Sequence, residues 1–167
     1  DVLNGAPVVI ADIVATVTAP ATPTIIGAPV PLLDPATGLV DVPSGTPAGT
    51  YIIGYQICEK LNPDNCANSI VTVTVEAPAI IATQDAPPPV REGIGNSAVI
   101  NAFANDMLNG APVVPALIAA TILSPASNPN VVLDPSTGNV SVGADVPAGT
   151  YTIGYQICEK LNPANCK

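Results

Sequence analysis

Apolar and polar residues alternate along this chain in short stretches, and each stretch ends at proline or glycine. Between Thr50 and Cys58, Tyr51, Ile53, Tyr55 and Ile57 fall on one side of a period-two pattern and Ile52, Gly54, Gln56 and Cys58 on the other. Ser69 to Glu76 repeats the alternation, with Val71, Val73 and Val75 opposite Ile70, Thr72 and Thr74. A two-residue period is that of a strand with one face turned to a core, so the two segments predict a β-hairpin. Asp34-Pro35-Ala36-Thr37-Gly38 has proline where a type I turn wants a fixed φ and glycine where a positive φ follows, and it should join strands at Val30–Leu33 and Leu39–Val42. Asp134 to Gly138 repeats the device, and Asn4-Gly5 and Asn109-Gly110 read as tight turns. Ala116–Leu123 is alanine-rich enough to pass for a short helix, but its β-branched residues and its counterpart Ile10–Val17 favour a strand. Short strands at this spacing, with turn chemistry between them, predict a β-sandwich.

The pattern is written twice. Pro47–Cys66 and Pro147–Cys166 differ only at Ile52/Thr152 and Asp64/Ala164, Leu3–Val9 returns at Leu108–Val114, and Leu33–Gly38 returns at Leu133–Gly138. A period of about a hundred residues is too long for a solenoid repeat and makes each copy a domain-sized module. The expected division is residues 1–78 and 79–167, with a Pro-rich junction at 77–95 in which Ala86-Pro87-Pro88-Pro89 should act as a stiff, extended spacer.

Each module carries one C-x7-C pair, Cys58/Cys66 and Cys158/Cys166, with Asn-Pro inside the loop. An even count in a repeated frame, in a chain without histidine, predicts two local disulfides and an oxidising compartment. Zinc is the competing use of paired cysteines, but two thiolates per module do not complete a tetrahedral site. Four basic residues stand against thirteen acidic ones, which removes nucleic acid and anionic membrane surfaces from the expected partners. Apolar content is 48% while aromatics are only 3%, so the apolar surface comes mainly from Val, Ile and Ala. No apolar run reaches the length of a membrane span, so no membrane insertion is expected of this segment.

Read in order, Asn105-Asp106-Met107-Leu108-Asn109-Gly110-Ala111-Pro112-Val113, Leu-Asp-Pro-x-Thr-Gly, Pro-Ala-Gly-Thr-Tyr, Tyr-Gln-Ile-Cys-Glu with Asn-Pro-x-x-Cys, and Val71-Thr72-Val73-Thr74-Val75 resemble the Ig-like tandem repeats of large bacterial surface and secreted adhesin-type proteins. The resemblance implies two tandem immunoglobulin-like β-sandwich modules, an extracellular or cell-surface location, and a role as the shaft of a filament or adhesin stalk. Such modules also serve as carbohydrate- or protein-binding adhesion domains, which is the alternative function.

Aligning the copies shows that Ala67–Asn105 occurs once. Module one therefore lacks opening strands of the kind expected around Ile80–Thr83 and Ser97–Phe103, and module two lacks a closing strand of the kind expected at Ser69–Glu76. Either the residues are a window of a longer array, or identical subunits meet head to tail and complete one another. The residues expected to act in strand exchange are Ile70, Val71, Val73 and Val75. No catalytic role is expected: histidine is missing and the carboxylates lie singly on turns. No cofactor is expected beyond a calcium ion at the junction, for which Asp85, Glu92, Asn105 and Asp106 are weak candidates whose plainer reading is turn and capping chemistry. Lys60 and Lys160 are candidates for isopeptide cross-links, against the simpler reading of solvated charges, and the tyrosines are expected to pack in the core rather than stack sugars.

Overall fold

The computed structural model describes every residue from Asp1 to Lys167. The chain is all-β, with several small antiparallel sheets and no closed barrel, and it divides into two compact units, Asp1–Ala77 and Pro78–Lys167. No helix is long and apolar enough to cross a membrane.

In unit 1, β1 (Val2–Leu3) and β2 (Ala6–Pro7) form a small hairpin, followed by a 3-10 turn and then β3 (Ile13–Ala19), β4 (Leu32–Leu33), β5 (Val40–Asp41), β6 (Gly49–Glu59) and β7 (Cys66–Val75). The strands pair as a three-stranded sheet in the order β3-β6-β7 and a two-stranded sheet β4-β5. The alternation in the sequence decides the faces: Tyr51 and Ile53 are 2% and 1% exposed, and with Ala21 they form a core onto which Val17, Leu33, Val40, Val71, Val73 and Val75 pack. Ile70, grouped with the three valines as a strand-exchange residue, lies on the opposite face and is 63% exposed.

Unit 2 starts with β8 (Ile80–Ile81) and β9 (Asn96–Asn101), then β10 (Met107–Leu108), β11 (Ala111–Pro112), a second 3-10 turn, β12 (Ile118–Ser124), β13 (Val131–Leu133), β14 (Asn139–Val142) and β15 (Gly154–Glu159). Its sheets are β11-β10-β8, β13-β14-β9 and β12-β15. Ile80, Ala102, Phe103, Ile118, Leu133 and Ile157 form its core. The prolines at 87–89 lie between β8 and β9, inside unit 2, so they link two strands of one unit instead of spacing two units.

The turns follow their residues. Asn4 and Gly5 have φ of 53° and 77°, and Asn109 and Gly110 have 53° and 75°, the doubly left-handed pattern of a hairpin turn for which Asn-Gly is the preferred pair. In the Asp34 turn, the carboxylate accepts from Ala36 N at 2.9 Å and Thr37 Oγ1 at 2.7 Å, while Gly38 N donates to Asp34 O at 2.8 Å. Asp134 repeats this with Ser136 N at 2.8 Å, Ser136 Oγ at 2.7 Å and Thr137 Oγ1 at 2.8 Å. These bonds hold both carboxyls below the usual carboxylate range.

Both predicted disulfides are formed, Cys58–Cys66 and Cys158–Cys166. Each joins a directly opposed pair at the base of a loop, and inside that loop Glu59 N donates to Asn65 O at 3.0 Å, as Glu159 N does to Asn165 O. Both lysines beside the cysteines are used: Lys60 Nζ donates to Ala11 O at 2.7 Å and Lys160 Nζ to Ala116 O at 2.9 Å. Each ammonium, on an exposed lysine, so ties the cysteine loop to the 3-10 turn that leads into the neighbouring strand.

Two expected outcomes test this framework. Gly38 and Gly138 have φ of 72° and 79°, but a Cβ at Gly138 would lie 2.5 Å from the Phe103 ring, whereas at Gly38 the nearest atom is Ile10 Cδ1 at 3.5 Å. Each alanine substitution should cost about 1–3 kcal/mol for the left-handed backbone, and Gly138→Ala more than Gly38→Ala because the aromatic ring must also move. Denaturant titration of the two variants reads the difference. Replacing Cys58 or Cys158 with serine should remove about 2–3 kcal/mol and lower the melting temperature by several degrees, as measured by calorimetry.

Candidate functional site

The repeated block Pro47–Cys66 and Pro147–Cys166 is one sequence in two environments. In unit 1 the strand runs from Gly49 to Glu59, and every residue from Gly49 to Cys58 has a partner on β7, from Gly49↔Val75 to Cys58↔Cys66. In unit 2 the corresponding strand begins only at Gly154. On that edge the backbone pairing comprises Cys158↔Cys166 and the reciprocal bonds between Ile157 and Lys167, at 2.8 and 2.9 Å. β12 covers the other edge of β15 no further than Gly154, as β3 covers β6 no further than Gly54. Gly149–Ile153 thus has no ladder partner on either side, and Thr150–Ile153 has no regular structure.

Local sequence does not explain the difference, because Ile52/Thr152 is the only change in the affected stretch and threonine suits a strand as well as isoleucine does. The missing element is the β7 ladder. Burial follows the same line: Pro47 is fully buried and Pro147 exposed, while Tyr51 and Ile53 are core residues and Tyr151 and Ile153 only half-buried. Where Val71, Val73 and Val75 close the unit 1 core, unit 2 has a cavity of about 590 Å³ lined by Val131, Leu133, Val140, Val142, Ile153 and Tyr155 among others. The segment Gln84–Glu92 also lines it, but prolines 87–89 carry no N–H and the segment makes no backbone bond to the open edge.

Unit 1 has the complementary opening. It contains no counterpart of β8 or β9, so β5 pairs with β4 alone while β14 pairs with both β13 and β9. In unit 2, Ile80 is 7% exposed, Asn109 N donates to Ala79 O at 2.7 Å and Asn165 Nδ2 to Pro78 O at 2.8 Å. At the same place in unit 1 there is a cavity of about 210 Å³ lined by Leu3, Val8, Ile13, Ile57 and Asn65 among others. There Asn65 Nδ2 donates to Glu59 Oε2 at 3.0 Å, as Asn165 Nδ2 does to Glu159 Oε2 at 3.3 Å, and the bond to Pro78 O has no counterpart.

Beside the open groove of unit 2 lies a polar cluster that the sequence only hinted at. Asp106 is completely buried; its Oδ1 accepts from Thr83 N at 2.8 Å and its Oδ2 lies 3.1 Å from the Tyr155 hydroxyl. The same hydroxyl is 2.8 Å from Ala102 O and 3.3 Å from Asp85 Oδ2, and the Tyr155 ring packs on Phe103 at 5.9 Å between centroids. Unit 1 keeps the core of this arrangement, with Tyr55 Oη donating to Asp1 Oδ2 at 2.9 Å. The motif ties the start of each Asn-Gly hairpin to the central strand, and the repeat of Asp1 at Asp106 was its only sequence signal. Of the four calcium candidates, Asp85 and Asp106 meet at Tyr155 with Asn105 beside Asp85, while Glu92 is exposed. No group of three or more acidic, cysteine or histidine side chains of the kind that holds a metal ion is formed.

Burial, and then the charge of Asp106, raise the Asp85 carboxyl above its ordinary value, and burial with the two carboxylates raises the Tyr155 phenol strongly. A native pKa above the unfolded one means that the folded state binds the Asp85 proton more tightly. Asp85 therefore favours folding fully below its unfolded pKa of 3.8, and this contribution is lost as pH rises through the raised native value. Asp34 and Asp134 act in the opposite sense, their contribution being present above 3.8 and lost as pH falls through their lowered native values. Asp85→Asn should accordingly melt higher than the parent chain near neutral pH, with the gap closing toward about pH 3. Thermal unfolding of both proteins across that range reads it; a gap independent of pH would show that ionisation of Asp85 is not the cause.

No protein-family model, no curated protein and no solved structure matches this chain.

Proposed function

We propose that this chain is a structural repeat of the shaft of an extracellular filament or adhesin stalk, built from Ig-like modules joined end to end by strand complementation or by tandem continuation. The single observation that carries the reading is that one sequence block is paired with a closing strand from Gly49 to Cys58 in unit 1 and is without that partner along Gly149–Ile153 in unit 2. An unpaired edge over an apolar groove is a surface for adding a strand, and a contact between different surfaces of successive subunits that does not close on itself generates a fibre.

The strand order supports the immunoglobulin-like reading. An Ig constant-type domain divides its strands into ABED and CFG sheets. With β9, β12, β13, β14 and β15 taken as B, C, D, E and F, the D-E-B order of β13-β14-β9 and the C-F pair β12-β15 follow this division. Unit 1 supplies C-F-G as β3-β6-β7 and D-E as β4-β5. The Tyr51 hydroxyl donates to Pro47 O at 2.7 Å and the Tyr151 hydroxyl to Pro147 O at 2.9 Å, bonds of the kind a tyrosine corner makes near strand F. The two disulfides support an oxidising, extracellular setting.

Electron microscopy of native material should show unbranched fibres with an axial repeat set by domain-sized modules. Isolated particles of constant size at every protein concentration would overturn the reading.

A further inference from the structure

We propose that Asp85, Asp106 and Tyr155 form a proton-operated latch, which fastens the connection between β8 and β9 to unit 2 while Asp85 is protonated and frees Gln84–Val90 once Asp85 is ionised. Every part of the latch belongs to unit 2, so it does not depend on how units are joined.

The connection is held at few points. From Ala82 to Val90 it has no regular structure and no backbone–backbone hydrogen bond, and within this stretch only Asp85 and Val90 are sheltered from solvent. Prolines 87–89 have no N–H to donate. The side-chain bonds that tie the stretch to the rest of the unit are Thr83 N to Asp106 Oδ1 at 2.8 Å and the Asp85 carboxyl to the Tyr155 hydroxyl at 3.3 Å. Beyond Thr83, attachment by hydrogen bonding therefore rests on Asp85.

That bond ends on a crowded hydroxyl. Tyr155 Oη lies 2.8 Å from Ala102 O, 3.1 Å from Asp106 Oδ2 and 3.3 Å from Asp85 Oδ2. A phenol has one hydrogen to give, and its oxygen can also accept. With both carboxyls ionised, three acceptors compete for one hydrogen, and two of them meet the phenol lone pair to lone pair. A proton that Asp85 takes from solvent turns its carboxyl into a donor to Tyr155 Oη and leaves the phenol hydrogen for Ala102 O or Asp106. When that proton is lost, Asp85 is the group that leaves, because its contact is the longest of the three and Asp106 keeps the bond from Thr83 N.

Asp85 is faced by Tyr155 from β15 and by Asp106 and Asn105 from the turn before β10. Arg91, Glu92 and Tyr151 line the same cavity, and no lysine or arginine bonds to either carboxylate. Partial burial, and then the like charge of Asp106, oppose ionisation of Asp85, the direction the crowded hydroxyl also requires. Fastening is thus complete below the ordinary Asp85 value of 3.8 and is lost as pH rises through the raised native one.

Backbone 15N relaxation of the full chain, followed from about pH 3 to pH 7 beside the 13C signal of the Asp85 carboxyl, tests the latch. Order parameters at Gln84–Val90 should fall from about 0.85 to below about 0.6 in step with the Asp85 titration, and should stay high throughout in Asp85→Asn, whose side-chain N–H donates without titrating. Trypsin supplies a second measurement near neutral pH: cleavage after the exposed Arg91, relative to Lys160 in the same unit, should be roughly fivefold or more slower in Asp85→Asn than in the parent. Order that does not change with pH, or that changes equally in Asp85→Asn, overturns the inference. So does pH-dependent loosening that persists in Tyr155→Phe, since the phenol is then not the fastening point; if Tyr155→Phe does not fold, the Asp85→Asn comparison decides alone.

Discussion

A central strand of a β-sheet has hydrogen-bonding groups on both edges, and the rest of each unit is organised around supplying partners to one such strand. β6 has both partners over part of its length, with β3 against Gly54–Glu59 and β7 against Gly49–Cys58. Once β7 is in place, its alternate valines are carried over the core by register alone, because side chains two apart share a face. Pairing and core closure are therefore one event. Where that partner is missing, the same sequence loses its strand conformation from Gly149 to Ile153, Tyr151 and Ile153 lose burial, and a cavity opens behind them. The aromatic-poor composition makes this coupling severe. A core of valine and isoleucine gains little from any single contact and depends on having every layer present.

The cysteine loops and the Asp–Tyr pairs keep the frame in register when the ladder is incomplete. In unit 2 the Cys158–Cys166 bond, the Ile157–Lys167 pair and Lys160 Nζ on Ala116 O all hold the cysteine end of the central strand. The Tyr155 hydroxyl, close to Asp106 and Ala102 O, anchors the strand at the point where pairing stops. β15 is thus fixed on one side of Gly154 and free on the other. On the shaft reading, an edge anchored in this way loses less conformational freedom when a strand pairs with it than a mobile segment would.

Much of the secondary structure was legible in the sequence because it is local. Period-two alternation placed β6 and β7, the Asn-Gly pairs placed the two tight hairpins, and the Asp-Pro-x-Thr-Gly runs placed the turns between β4 and β5 and between β13 and β14. What stayed hidden depends on distant partners. Nothing within Gly149–Ile153 tells that it is unpaired, since Gly49–Ile53 reads almost the same and forms a strand. Asp106 looked like a turn or capping carboxylate because its partners, Thr83 N and Tyr155, lie far off in sequence. Alternation sets Ile70 opposite Val71, Val73 and Val75, and the packing of the three valines on the core makes its face the outer one. The proline run has the composition of a spacer, yet the strands on both sides of it belong to one unit.

The openings of the two units differ in kind, and this bears on how a shaft of such modules would carry load. Unit 2 lacks an element of the β7 type and unit 1 lacks elements of the β8 and β9 type. Within the chain these elements occur in one continuous run, with β7 closing unit 1 and β8 and β9 opening unit 2 across the boundary at Ala77 and Pro78. A run of this kind ends one module as its last strand and starts the next as its first. On the shaft reading, tension along such a joint meets hydrogen-bonded ladders on both sides of the irregular stretch between Val75 and Ile80. Β7 lies antiparallel to the full length of β6 from Gly49 to Cys58, so pulling along the strand loads many bonds together instead of peeling them singly. The disulfide at Cys58–Cys66 ties the start of that ladder covalently, which puts the strongest bond where the closing strand begins.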